Sequence, residues 1–111
     1  MLDFYLGTGG IDNPGEHLGG LSAEAVRWLQ QHDFIIRGET GHLPDDVPES
    51  FPIGDDVILS YEQVLKAYQK FSAKLTMASS TPGFKSSDVD TLKKILETAI
   101  NKKSGISTIA D

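Results

Sequence analysis

Three prolines four residues apart, Pro44, Pro48 and Pro52, stand with Gly38, Gly41 and Gly54 in the middle of this 111-residue chain. A proline has no backbone N–H and clashes with the preceding helical turn, so residues 38–56 exclude a helix and disfavour a central strand. A connection this long inside a compact chain belongs with functional or mobile loops. Its charge sharpens the point. Between Gly38 and Leu59 lie six carboxylates, Glu39, Asp45, Asp46, Glu49, Asp55 and Asp56, with no Lys or Arg; the other ten acids and ten bases cancel, so the net charge of −6 resides here. Like charges at this density repel one another, and a basic partner or a cation relieves them. Leu43, Val47, Phe51 and Ile53 are the loop's apolar residues. Phe51 has two readings: tucked beneath the loop, or exposed as an aromatic anchor ringed by acids.

On either side the patterns are regular. Leu2–Leu6 reads as a short aromatic strand ending at glycine. Gly7–Gly20, with six glycines and Pro14, reads as a long loop. Ser22 is placed to cap a helix to about His32, with Ala25, Trp28, Leu29 and His32 along one face. Phe34–Ile36 and Val57–Leu59 are short apolar runs that suit buried strands. Ser60 and Gln63 form a capping box for a helix to about Met77, striped by Tyr61, Val64, Leu65, Tyr68, Phe71 and Leu75. Lys66, Lys70 and Lys74 recur on another face. After a loop at Ser79–Gly83, Ser87 should cap a third helix whose inward side is Val89, Leu92, Ile95, Leu96, Ala99 and Ile100. Residues 104–111 read as a frayed tail. Short strands and helices without strict alternation give an α+β fold, one domain over residues 1–111, with a small sheet packed by about three helices. A helical bundle with an ordered N-terminal arm is the fallback.

Composition narrows the function classes. With no cysteine, disulfides, thiolate catalysis and cysteine-bound zinc are excluded, and a reducing cytoplasm is the natural setting. No apolar run reaches the roughly 18–20 residues that span a bilayer, and Met1–Leu6 lacks a signal peptide's basic start; no membrane association is expected. Nucleic acid is not expected either, because residues 1–59 carry eleven acids against Arg27 and Arg37 and repel phosphate.

Chemical motifs are sparse. Gly7-Thr8-Gly9-Gly10 follows a strand, but a dinucleotide fingerprint needs glycine where Asp12 stands and a helix where Asn13-Pro14-Gly15 blocks one. His17, His32 and His42 lack the spacing of a zinc site. The loop aspartates lack the register of an EF-hand, and no serine occupies a nucleophile elbow. No catalytic residue, metal or cofactor is assigned on this basis.

The opening Met1-Leu2-Asp3-Phe4-Tyr5-Leu6, followed by Gly19-Gly20-Leu21 before a short helix, resembles a group of small bacterial proteins that share an aromatic first strand. Some small acidic bacterial proteins of this kind act as immunity proteins against polymorphic toxins. The resemblance covers about the first 35 residues and carries no functional residue with it. The segregated charge alone motivates the functional expectation, a non-enzymatic, immunity- or antitoxin-like module. In that reading Glu39, Asp45, Asp46, Glu49, Asp55 and Asp56 steer a basic protein, a toxin or nuclease, onto a Phe51 anchor. Two alternatives stand beside it. One is a small metal-dependent hydrolase using His17 or His42 with loop carboxylates. The other is a structural subunit or adaptor that turns Lys66, Lys70 and Lys74 towards an acidic partner, or towards its own acidic loop in a homodimer.

Overall fold

A computed structural model describes residues 2–44, 46–78 and 86–110. The fold is α+β. Among the described residues, seven strands, β1 (Leu2–Leu6), β2 (His17–Leu21), β3 (Ile35–Arg37), β4 (Gly41–His42), β5 (Phe51–Ile53), β6 (Val57–Leu59) and β7 (Ile106–Ala110), accompany three helices, α1 (Ala23–Gln31), α2 (Tyr61–Ala78) and α3 (Ser86–Asn101). The main sheet runs β2-β1-β7-β6-β4, and β3 and β5 form a parallel pair of their own. The Ser79–Gly83 loop and Asp45 lie outside the described residues.

Alternation decides which way the sheet faces. Phe4, Thr108 and Val57 share one cross-strand row, and Leu6, Ile106 and Leu59 share the next. These side chains enter the core with Leu29 from α1, Val64 and Phe71 from α2, and Leu92 and Leu96 from α3. The small sheet packs on the same side, where Phe51 meets Phe4 with ring centroids 6.2 Å apart. The opposite face carries Asp3, Tyr5, Ser107 and Ile58. A 3₁₀ turn at Gly10–Asp12 folds over part of it, its Gly10 amide donating to Ser107 Oγ at 3.2 Å. Gly10 is required there: its φ is 68°, and a Cβ would lie 2.6 Å from an Asp56 carboxylate oxygen.

The helix signals operate as expected from their chemistry. Ser22 accepts from the Ala25 amide at 3.1 Å. Ser60 and Gln63 cap each other's backbone, Gln63 Oε1 taking the Ser60 amide at 2.9 Å and Ser60 Oγ the Gln63 amide at 3.2 Å. α1 closes with Asp33 in the left-handed region (φ 62°), the Phe34 amide reaching back to the Leu29 carbonyl, which is a Schellman-type stop.

Four expectations are corrected. Residues 104–111 are not a frayed tail: Ile106–Ala110 is the sheet's third strand, hydrogen-bonded on both sides, and Ile106 and Thr108 are fully buried. The Gly7–Gly20 loop hides most of β2, which pairs with β1 across a bulge at Leu18; the extra residue sends Leu18 towards the core and keeps His17 opposite Tyr5. β3 does not join the main sheet but pairs with β5, a strand that contains Pro52. α3 begins at Ser86, so Ser87 lies in the first turn instead of capping it.

Candidate acidic surface

The acidic segment is a closed excursion whose two ends lie side by side. The Gly38 amide donates to the Ile53 carbonyl at 2.7 Å and the Gly41 amide to the Asp56 carbonyl at 2.8 Å, while Thr40 Oγ1 donates to the Asp55 carbonyl at 2.9 Å. Compact loops with adjoining ends and their own packed side chains are a common carrier of function. Here Val47, Phe51 and Ile53 supply the packing, at 3%, 3% and 5% exposure. Phe51 is therefore tucked under the loop, and no exposed aromatic anchor exists at that position.

α2 straps the middle of the segment. Gln63, Ala67, Lys70 and Lys74 follow the spacing of one helix face. Gln63 Nε2 donates to the carbonyls of Leu43 and Pro44, at 2.9 and 2.7 Å. Lys70 Nζ donates to the Val47 carbonyl and stands 3.4 Å from Glu49. Lys74 Nζ reaches the Asp33 carbonyl and Ser50 Oγ. Two of the three lysines in that row thus satisfy backbone of their own chain, and Lys66 is the exposed one.

The carboxylates divide accordingly. Glu39 and Asp55 are exposed where the two ends of the segment adjoin; Asp46 and Glu49 are exposed along α2. Asp46 Oδ1 accepts from the Val47 amide at 2.9 Å, which fixes its rotamer without consuming its second oxygen. Asp56 is half-buried and occupied, its Oδ1 taking the Ile11 amide at 2.8 Å. It secures the 3₁₀ turn. Asp45 lies outside the described residues.

The histidines are distributed across the sheet. Register places His17, Tyr5, Ser107, Ile58 and His42 in one row, each on a successive strand. At about 4.8 Å per strand, His17 and His42 are some 19 Å apart, so no single ion binds both. His17 Nε2 lies 2.9 Å from Asp3 Oδ1, and the Tyr5 ring packs 5.1 Å from the imidazole. A His–carboxylate pair is the orienting half of many acid–base sites. The nearest serine in the row, Ser107, is two strands away; its hydroxyl donates to the Gly7 carbonyl at 2.8 Å and accepts from Gly10. It is a buried brace, not a nucleophile. Among the described residues, no three His, Cys, Asp or Glu side chains converge as metal ligands, and no helix is long and apolar enough to cross a membrane.

One further group is electrostatically distinct. Burial, then the 2.9 Å hydrogen bond to Glu97, then that carboxylate's charge raise the Tyr68 hydroxyl above its ordinary pKa of 10.0. Alternation in Leu2–Leu6 already places Asp3 and Tyr5 on one face, but their partner His17 sits in a glycine-rich stretch that carries no strand signal.

Comparison with protein-family models, curated proteins and solved structures finds no match to this chain.

Proposed function

We propose that the chain is a non-enzymatic binding module, immunity- or antitoxin-like, that offers Glu39, Asp46, Glu49 and Asp55 to a basic protein surface. The observation behind this reading is the strap: Gln63 and Lys70 bind the segment's backbone and Lys74 its Ser50 hydroxyl, while those four carboxylates remain exposed. Side chains held on a fixed backbone lose less entropy on docking than those on a loose loop. Their summed charge accelerates encounter with a cationic target and resembles the phosphate array of a nuclease substrate. Phe51 has no part in the contact. Asp56 contributes charge, but its first duty is to the Ile11 amide.

The test is affinity capture from lysate at low and high salt, comparing the natural chain with a Glu39→Gln/Asp46→Asn/Glu49→Gln/Asp55→Asn variant. Asp56 is left intact so that the 3₁₀ turn survives. A basic protein that is retained by the natural chain, released by salt and lost from the variant is the expected result. A partner held equally by both proteins refutes the electrostatic mechanism.

A further inference from the structure

α1 has a second working face. Ala25 and Leu29 point into the core, whereas Ala23, Val26, Arg27 and Gln30, at helical spacing, overhang the end of the main sheet. Between that overhang and the sheet lies an open groove of about 280 Å³. Its floor is apolar: Leu2 at the start of β1, Ile53 at the end of β5 and Ala110 at the end of β7, with Val26 above them. Its rim is polar, formed by Arg27 and Gln30.

Arg27 is the unusual member. It is exposed, and among the described residues no side-chain hydrogen bond or ion pair engages it. A guanidinium offers a planar fork that matches a carboxylate in bidentate geometry. Placed at the lip of an apolar trough, it selects a ligand with one anionic end and one apolar end. The volume lies near the lower limit of small-molecule sites, about 300 Å³, which suits a short acid over a long-chain lipid. Charges farther apart than about 8 Å are largely screened at physiological ionic strength, so the chain's distant carboxylates weigh little on an anion in the groove. The local guanidinium therefore decides.

We propose that this groove binds a small organic acid, its apolar body on Leu2, Val26 and Ile53 and its carboxylate on Arg27. Octanoate is the probe, followed by amide chemical shifts in the intact, isotopically labelled protein, with octan-1-ol as the uncharged control. Octanoate should perturb the amides around Leu2, Val26, Arg27, Ile53 and Ala110. Octan-1-ol, and octanoate with an Arg27→Gln variant, should each bind about three- to fivefold more weakly, the upper part of the range for a solvent-accessible ion pair. Ala23→Phe, at an exposed position in the first turn of α1, should fill the groove and abolish the perturbation while the rest of the spectrum is preserved. The proposal is overturned by equal binding of acid and alcohol with an inert Arg27→Gln, by perturbations centred on another surface, or by none at about 10 mM ligand, a concentration well above a millimolar dissociation constant.

Discussion

Replacing Ile106 by Ala tests the largest departure of this structure from a terminal segment of ordinary appearance. Ile106 is fully buried and stands in one cross-strand row with Leu6 and Leu59. The substitution removes three carbons, worth about 0.8 kcal/mol each in transfer free energy. Neighbours on both strands and the helices above close only partly over the void, so a cavity term adds to this. The total should be about 3–4 kcal/mol, within the observed range for buried Ile→Ala changes. For a domain of this size the urea slope is on the order of 1.5–2 kcal/mol/M, so the midpoint should fall by about 2 M. The assay is equilibrium urea unfolding followed by circular dichroism and Trp28 fluorescence, with the slope held to its natural value. A loss below about 0.5 kcal/mol, the scale of a surface substitution, would refute the placement of residues 106–110 inside the sheet.

Three further outcomes follow from local geometry. Asp33→Gly should stabilise by about 0.5 kcal/mol in thermal unfolding: glycine relieves the left-handed cost at φ 62° and gives back part of it as unfolded-state entropy, while the backbone carbonyl that accepts Lys74 remains. Gln63→Ala removes half of the α2 capping box and both donors to Leu43 and Pro44; it should cost about 2 kcal/mol in urea unfolding and speed amide exchange between residues 43 and 50. In an ultraviolet alkaline titration, one of the three tyrosines should ionise above the usual range, and Tyr68→Phe should abolish that step. Because the folded-state pKa of Tyr68 is raised, its contribution is whole below pH 10, where folded and unfolded chains are both protonated. It is lost as pH climbs from there through the folded pKa. Tyr68→Phe should flatten that part of the stability curve, and an unchanged slope would show that Tyr68 is not the source.

The legible elements were those whose signal is local. Ser22, Ser60 and Gln63 declare helix starts by side-chain chemistry, and α2 and α3 declare their inner faces by period. β1 shows simple alternation because one side meets the core and the other does not. β7 gives no such cue: it is paired on both sides and covered on both faces, so Ser107 and Thr108 are buried together and are satisfied by Gly7 and Gly54 carbonyls instead of by water. Ile106, Thr108 and Ile109 are β-branched and follow Gly105, which is a strand signal, but so short a run with Ser and Thr inside it does not announce burial on both faces. β5 defied the proline rule for a stereochemical reason. In its pairing with β3 the Phe51 amide is used, donating to Phe34, and residue 52 faces away, so the missing N–H of Pro52 costs no bond. The six carboxylates were visible as a charge cluster. Their separate fates were not, because an Asp56 bound to an amide 45 positions away and a Phe51 packed on the first strand are products of tertiary contact.

The position of β7 also predicts an order of assembly. β1 finds β2 early, across a short connection, but its other edge stays open until residues 106–110 arrive, and β6 waits for the same five residues. Closing a loop of roughly 100 residues carries an entropic cost that local contacts do not repay, and folds dominated by such pairings are slow. During that interval the unfilled slot is a row of unpaired amides and carbonyls flanked by apolar side chains, the kind of edge on which a strand from another copy can dock. Productive folding is then a contest between the chain's own last strand and a neighbour's, and high concentration should favour strand exchange.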